Sequence, residues 1–206
     1  MKWLKVFAGS VLAGLAIGLG GLVYLSVESK VLGAFLFSVG LFTVCTMGLS
    51  LFTGKVCYVF SEDRSYALSL PVIWLGNLAG TGLTSLFASL TRAYPALQEK
   101  ALALSQVKTG DSLSSLFFLG VLCNVFIYIA VDGYRSIPQE IGKYLAIVFG
   151  VMAFILSGTE HCVADMFYFW MAGAWNLRAV LCILVITLGN CSGGVLLPTL
   201  RKIQQG

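Results

Sequence analysis

Five long stretches of the chain carry no charged residue, and apolar side chains dominate each of them. The stretches cover residues 6–27, 31–54, 65–91, 112–131 and 179–200. Each is long enough for an α-helix to cross the apolar core of a bilayer, which takes about 20 residues. A sixth apolar stretch, residues 144–175, is interrupted by Glu160, His161 and Asp165. The pattern predicts an all-α protein with six transmembrane helices that form a single transmembrane domain over residues 1–206.

The composition supports a membrane protein. Apolar residues make up 58% of the 206 residues and charged residues only 11%, whereas a soluble domain is about 25% charged. The 13 basic and 9 acidic residues give a net charge of +4 that is spread thinly, which argues against a nucleic-acid partner. Six cysteines lie in or beside apolar runs and there is a single histidine. We therefore expect buried free thiols and no metal or other cofactor.

Positive charges predict an orientation in the membrane. Six crossings place both termini on one side, together with most of the loop lysines and arginines: Lys2, Lys5, Arg64, Arg135, Lys143, Arg201 and Lys202. By the positive-inside rule this bias favours cytoplasmic termini in the plasma (inner) membrane. The first stretch is too long for a cleavable signal peptide. The longest connection, residues 92–111, contains Pro95 and is predicted to form a short surface helix outside.

A motif repeats once along the chain. The sequence LGNLAG at residues 75–80 recurs as LGNCSG at residues 188–193, 113 residues later. Each copy lies in the third crossing of a three-crossing half, so we expect inverted repeats over approximately 1–95 and 110–206. The second crossing of each half contains an interruption, LFTGK at 51–55 and SGTEH at 157–161. Paired broken helices of this kind are typical of transporters and channels.

The interruptions free polar backbone groups, which cannot face lipid. They must be packed in protein or line a wet cavity, and the exposed helix N-termini attract anions. Gly54 and Gly158 are expected to supply the unusual backbone angles. The alternative is a pair of glycine kinks in buried helices, but the matched positions favour a shared function.

Three ionisable residues lie in the fifth crossing. Such groups are costly in a membrane and usually face an interior path; the alternative for His161 is a core histidine bonded to a backbone carbonyl. Burial disfavours the imidazolium, so we expect a neutral ring that donates one hydrogen bond. Glu160 is expected to accept hydrogen bonds from freed backbone N–H groups or neighbouring subunits. Asp165, one turn after His161, is either a path residue or a capping acceptor.

Four motifs together resemble the formate/nitrite transporter family. They are LFTG at 51–54, LGN at 75–77, SGTEHCVADMF at 157–167 and LGNCSGG at 188–194. The resemblance covers residues 6–198. It implies an aquaporin-like fold with the second and fifth crossings broken, and a homopentamer with one pore per subunit in the lipid bilayer. The implied substrates are small monovalent anions of weak acids, namely formate, nitrite, hydrosulfide, acetate and lactate, with formate the default.

The resemblance also implies site residues. His161 matches a central pore histidine, Thr53 a loop threonine bonded to it, Lys108 a vestibule lysine and Asn124 a pore-side asparagine. Together with Glu160 and Asp165 these form the predicted substrate pathway. The apolar constriction positions are Phe37, Leu41, Leu51, Phe52 and Phe154. Asp165 departs from the family, which usually has asparagine there. Only residues 1–5 precede the first crossing, where the family has an amphipathic segment, so a gate of that kind is not expected.

A transport mechanism follows from these residues. Lys108 would concentrate anions at the outer mouth, unless it is an ordinary solvated loop lysine. An apolar ring makes the passage of a bare charge expensive. Desolvation favours the protonated acid, so formate would take a proton from water or through His161 and cross as the neutral acid. In the competing picture the anion crosses charged, as in a channel. The sequence leaves both open.

Three other function classes fit the sequence less well. A neutral-solute channel of the same shape is disfavoured because the chain has no paired Asn-Pro-Ala loops. A membrane enzyme is disfavoured because no nucleophile or metal set accompanies Glu160, His161 and Asp165, so we predict that the protein is not an enzyme. A non-transporting assembly subunit is compatible with the Gly14-xxx-Gly18 spacing, although such glycines more often mean close helix packing.

Overall fold

The computed structural model describes residues 2–206, and within that range it contains nine α-helices and no strand. The helices, in chain order, are α1 (Lys2–Ser26), α2 (Lys30–Thr46), α3 (Phe52–Val56), α4 (Arg64–Ser89), α5 (Tyr94–Gly110), α6 (Leu113–Ser136), α7 (Glu140–Leu156), α8 (Cys162–Ala172) and α9 (Leu177–Gln204). The prediction of an all-α protein is confirmed.

Four helices are long and apolar enough to cross a membrane. They are α1, α4, α6 and α9, with 25, 26, 24 and 28 residues. They coincide with four of the five uninterrupted apolar stretches. Large apolar side chains on their outer faces are exposed, such as Leu75 on α4 and Leu188 on α9, while polar side chains such as Asn77 and Asn190 are fully buried. This inside-out distribution suits a lipid environment.

Each of the other two apolar stretches forms two helices with a break between them. The first break separates α2, which ends at Thr46, from α3; the second separates α7, which ends at Leu156, from α8. Gly48 and Gly158 lie in the breaks with φ values of 64° and 68°, a left-handed conformation that glycine adopts without steric cost. The expectation for Gly158 is confirmed. That for Gly54 is wrong, because Gly54 lies inside α3 and Gly48 takes the left-handed position.

Glycines bring the long helices into close contact. A Cβ on Gly80 of α4 would overlap the Val11 carbonyl of α1, and a Cβ on Gly193 of α9 would overlap the Val121 carbonyl of α6. Only glycine allows backbones to approach so closely. The α1–α4 pair and the α6–α9 pair are therefore built in the same way, and both glycines belong to the repeated motif.

Helix α5 confirms the predicted helix between residues 92 and 111, with Pro95 in its first turn, where proline is well tolerated. It is not simply a surface helix. One face, formed by Leu97, Ala101, Ser105 and Lys108, is buried. The Ser105 hydroxyl donates to the Tyr168 carbonyl of α8 at 3.4 Å. Helix α5 therefore carries Lys108 into the protein interior.

Candidate functional site

Two buried asparagines hold the two helix breaks in place. Asn77 of α4 accepts a hydrogen bond through Oδ1 from the Phe52 N–H (2.8 Å), the first N–H of α3. Its Nδ2 donates to the carbonyls of Ser10 (2.7 Å) and Ser50 (3.0 Å). One side chain thus bonds the first N–H of α3 and a carbonyl inside the break, and through the Ser10 carbonyl it also holds both against α1.

Asn190 of α9 makes the same set of bonds at the second break. Its Oδ1 accepts from the Cys162 N–H (2.9 Å), the first N–H of α8. Its Nδ2 donates to the carbonyls of Gly120 (2.8 Å) and Glu160 (2.9 Å). The Gly-Asn pair repeats in the sequence, but the repeat alone predicted no role for these asparagines. The repeat itself was the signal that could have identified them.

A hydrogen bond links the two breaks. Thr53 Oγ1 of α3 lies 2.8 Å from His161 Nε2, and His161 is the N-cap residue of α8. The Ala164 N–H donates to His161 Nδ1 at 3.1 Å. Because Nδ1 accepts a bond, it carries no proton, so Nε2–H is the donor to Thr53 and the ring is neutral. The hydroxyl hydrogen of Thr53 then remains available as a donor. The structure brings together the two residues expected to bond.

Asn124 lies behind α3 and holds it from α6. Its Nδ2 donates to the Thr53 carbonyl (3.0 Å) and contacts Cys57 Sγ (3.6 Å). The Asn124 side chain is fully buried, and its Oδ1 has no partner among residues 2–206. It lines neither of the cavities described below. Its observed contacts therefore position Thr53, and Asn124 itself does not form part of a cavity wall.

Two cavities lie near the Thr53–His161 link, and they share no lining residue. The histidine cavity, of about 180 Å³, is lined by His161 and the side chains around it, which include Tyr24, Lys108, Phe154, Glu160, Asp165 and Tyr168. The leucine cavity, of about 230 Å³, is lined by Leu41, Leu51, Gly54, Lys55, Tyr58 and Val131, among others. Each cavity touches one of the helix breaks, so each borders the short helix that follows.

Apolar side chains pack against His161 and line part of each cavity. Phe154 stacks on the His161 ring (centroids 5.5 Å apart, 23° between planes) and meets Phe37 edge to face (5.8 Å, 88°). Phe154 lines the histidine cavity, while Leu41 and Leu51 line the leucine cavity. Four of the five predicted constriction residues therefore lie on the cavity walls or pack against them.

Phe52 is the exception among the predicted constriction residues. Its side chain is buried in the core, only 5% exposed, and it lines neither of the two cavities. Phe52 begins α3, one residue after Leu51. Of these two neighbours, only Leu51 lines the leucine cavity.

Three charged side chains form a buried cluster beside His161. Lys108 Nζ donates to Glu160 Oε2 and lies 2.9 Å from Asp165 Oδ1. The side chains of Lys108, Glu160 and Asp165 are 10%, 7% and 3% exposed. The Lys108 ammonium also lies 5.8 Å from the centre of the Tyr168 ring. We name this group the lysine cluster.

The lysine cluster corrects the expectations for Lys108 and Glu160 and favours one of the two alternatives for Asp165. Lys108 is neither a free vestibule charge nor a solvated loop lysine, because two carboxylates pair with it. Glu160 bonds to Lys108, not to freed backbone N–H groups. Asp165 is not a capping acceptor, because His161 caps α8. It lines the histidine cavity and pairs with Lys108 through Oδ1, so its role as a path residue stays a prediction. These pairs join residues 52 and 57 positions apart, so periodicity within one helix could not reveal them.

Metal-binding side chains do not gather here. Across residues 2–206, no group of three or more His, Cys, Asp or Glu side chains is arranged to hold a metal ion. The six cysteines, all inside that range, are free thiols.

Comparison with known proteins places the chain among membrane transport proteins. The family model described as "Formate/nitrite transporter" matches residues 1–203. The "Nitrite transporter NirC" of Salmonella typhimurium is 33% identical, over 93% of this chain and 80% of that protein. The "Formate channel FocB" of Escherichia coli is 26% identical, over 79% of this chain and 64% of that protein.

Solved structures share the fold. A structure titled "Pentameric formate channel with formate bound" superposes with a TM-score of 0.87 at 24% identity, covering 98% of this chain and 97% of that one. A structure titled "FNT family ion channel" gives a TM-score of 0.81 at 26% identity, covering 99% and 89%.

Proposed function

The chain belongs to the formate/nitrite transporter family, and we propose that it carries formate, a small monovalent anion of a weak acid, across the membrane. The relatives bear both formate and nitrite in their names. Nitrite is the second candidate, because a relative that is 33% identical over most of the chain is named a nitrite transporter. Hydrosulfide, acetate and lactate belong to the same chemical class of weak-acid anions.

The Thr53–His161 hydrogen bond is the observation that carries this proposal. It joins the two helix breaks: His161 lines the histidine cavity, and Gly54, next to Thr53, lines the leucine cavity. With Nε2–H of His161 donated to Thr53, the hydroxyl hydrogen of Thr53 is free to donate to a substrate oxygen. The pathway runs from the histidine cavity past Phe154 and His161, then past Thr53 to Leu51 and the leucine cavity.

The apolar wall favours passage of a neutral molecule. Transfer of an ionised carboxylate into surroundings such as Phe37, Phe154 and Leu51 is very costly, whereas a protonated acid loses far less hydration. Formate therefore takes up a proton in the histidine cavity, crosses as formic acid and releases the proton on the far side. Transport is then coupled to protons, and uptake should rise as the pH on the entry side falls.

The proposed architecture has six crossings in two inverted halves, residues 1–95 and 110–206. Helices α2 and α3 make one crossing together, as do α7 and α8. The matched bonds of Asn77 and Asn190 support the repeat. Trp74 Nε1 also donates to Thr187 Oγ1 at 3.1 Å, and these residues are 113 positions apart, which is the offset of the motif. Contact between equivalent positions is what a twofold axis between the halves requires.

Assembly and location complete the proposal. We infer a homopentamer with one pathway per subunit, supported by the shared fold with a structure titled as pentameric. We infer a plasma (inner) membrane location with both termini in the cytoplasm, supported by Lys2 and Lys5 at the start of α1 and by Arg201 and Lys202 in the last turn of α9.

Uptake into proteoliposomes tests the proposed function. Wild-type protein and His161→Ala are reconstituted in parallel, and uptake of labelled formate, nitrite and glycerol is compared with that of protein-free liposomes. We expect wild type to take up formate and nitrite but not the neutral glycerol, and His161→Ala to lose anion selectivity because the Thr53 link is gone. Equal formate uptake by wild type and protein-free liposomes would refute transport. Equal uptake and selectivity in both proteins would refute the assigned pathway.

A further inference from the structure

A guanidinium without a carboxylate partner lies at the leucine cavity. Arg135 belongs to the last turn of α6, its side chain lines the cavity, and the residue is exposed to solvent. It takes part in none of the ion pairs within residues 2–206. The N–H groups of an arginine form a planar fork that matches the two oxygens of a carboxylate. The fork of Arg135 is therefore open to an anion in the cavity.

An aromatic ring restrains this guanidinium. The Cζ atom of Arg135 lies 4.1 Å from the centre of the Tyr58 ring, a cation–π contact that attracts the cation to the ring face. Tyr58 is itself held, because its hydroxyl donates to Asp132 Oδ1 at 3.4 Å and its ring packs against Tyr128 with the ring centres 6.4 Å apart. A restrained side chain loses less conformational freedom when it binds a ligand. Tyr58 therefore preorganises the fork for binding.

The other charges near the cavity leave Arg135 without a counter-ion. Asp132 lies three residues before Arg135 on α6, but its Oδ2 already accepts a hydrogen bond from Arg201 at 2.7 Å. Lys55 and Glu62 also line the cavity, and neither forms an ion pair within the part of the chain that the structure describes. The lining thus carries two positive charges and one negative charge, and this excess of positive charge favours an anion.

The histidine cavity has no arginine in its lining among residues 2–206. Its buried cation, Lys108, is paired with Glu160 and Asp165, and Lys30 is an exposed ammonium at its rim. An ammonium is a point charge that lacks the planar fork of a guanidinium. Of the two cavities, the leucine cavity is therefore the one that suits an anion with two oxygens.

We propose that Arg135 binds the transported anion in the leucine cavity, with its guanidinium fork on the two oxygens of formate or nitrite. This inference rests on the proposed transport of weak-acid anions. The site takes small monovalent anions that carry two oxygens on one atom, and it binds anions without such a pair, such as chloride, more weakly. Its positive charge favours formate over formic acid. Arg135 therefore binds the anion at the end of the pathway where the proposed mechanism releases the proton.

Carbon-13 NMR of the guanidinium carbons in detergent-solubilised protein tests the binding directly. We expect the Arg135 signal, identified by its absence from Arg135→Lys, to shift and saturate as formate or nitrite replaces chloride at constant ionic strength. Arg64 is the internal control, because it is an exposed arginine that lines neither cavity. An Arg135 signal that does not shift, or that shifts no more than the Arg64 signal, would overturn the proposal.

Formate uptake into proteoliposomes tests the role of the fork in transport. Arg135→Lys retains the positive charge but loses the fork, so we expect the half-saturating formate concentration to rise by about threefold or more. Maximal uptake should change little, because the Thr53–His161 link stays intact. Arg64→Lys, the matched control, should follow wild type. A half-saturating concentration in Arg135→Lys equal to that of wild type would overturn this role of Arg135.

The two measurements separate this proposal from the proposed function. Wild-type proteoliposomes that take up no more formate than protein-free liposomes would refute transport. The NMR titration does not depend on transport, so it would still decide whether Arg135 binds the anion.

Discussion

Replacement of Asn190 by alanine should destabilise the protein strongly, because this one side chain satisfies three backbone groups. Its removal leaves the Cys162 N–H and the Glu160 carbonyl in the second break without partners. The third group, the Gly120 carbonyl, lies within α6 and keeps its helical bond. A buried group without a partner costs about 1–3 kcal/mol. The two groups in the break therefore predict a loss of about 2–6 kcal/mol.

Two further variants sharpen this prediction. Asn77→Ala should cost a similar amount, since Asn77 makes the matching bonds at the first break. Asn176→Ala is the control: this exposed asparagine caps α9 through one bond to the Ala179 N–H at 2.9 Å, and loss of such a cap costs about 1 kcal/mol. The comparison thus separates the loss of a buried bond network from the loss of any single asparagine cap.

The measurement is the free energy of unfolding of each purified variant in detergent, followed by tryptophan fluorescence during a denaturant titration. We expect Asn190→Ala and Asn77→Ala to lie well below Asn176→Ala. If Asn190→Ala proves no less stable than Asn176→Ala, the breaks are not held by these asparagines and the account of the repeated motif is wrong.

Three more predictions follow from the contacts. Thr53→Ala should lower formate uptake by about tenfold or more, whereas Thr53→Ser should retain it, because only the hydroxyl group bonds His161 and the substrate. Equal uptake by the two variants would contradict this role of Thr53. Gly193→Ala should lower the thermal midpoint in detergent, with a cost of about 1–3 kcal/mol from overpacking against α6, whereas Gly110→Ala, which has open space around its Cβ, should melt like wild type. Lys108→Met should lower the free energy of unfolding by about 3–5 kcal/mol, because it leaves buried carboxylates without their partner. Lys100→Met, on the same helix, breaks only an exposed ion pair and should have little effect. Equal stability of the two variants would contradict the buried cluster.

Much of the fold could be predicted because its signals are local. An apolar run long enough to span a bilayer is visible in the residues themselves, and the four long helices follow four of those runs. The interruptions were also visible, since glycine and polar residues stand inside apolar stretches. The turn residue of the first break was misassigned to Gly54, because the sequence does not show where α2 ends. Gly48 takes the left-handed position since the chain turns there, before α3 begins.

The candidate site was only partly predictable. Thr53 and His161 were paired through the family resemblance, and the structure places them in hydrogen-bond contact. The partners of Lys108 were not foreseen, because they depend on which face of α5 packs against α8. Phe52 was predicted to lie in the constriction with its neighbour Leu51, but its side chain is buried in the core and lines neither cavity.

The sequence by itself determined that this is an all-α membrane protein with two interrupted apolar segments and a lone histidine at one of them. Those properties depend on the hydrophobicity of single residues and on glycine's backbone freedom, which act over a few positions. Only the tertiary structure decided that Asn77 and Asn190 close the breaks and that Lys108 is neutralised by Glu160 and Asp165. Each of these contacts joins positions more than twenty residues apart, so it exists only once the helices have packed.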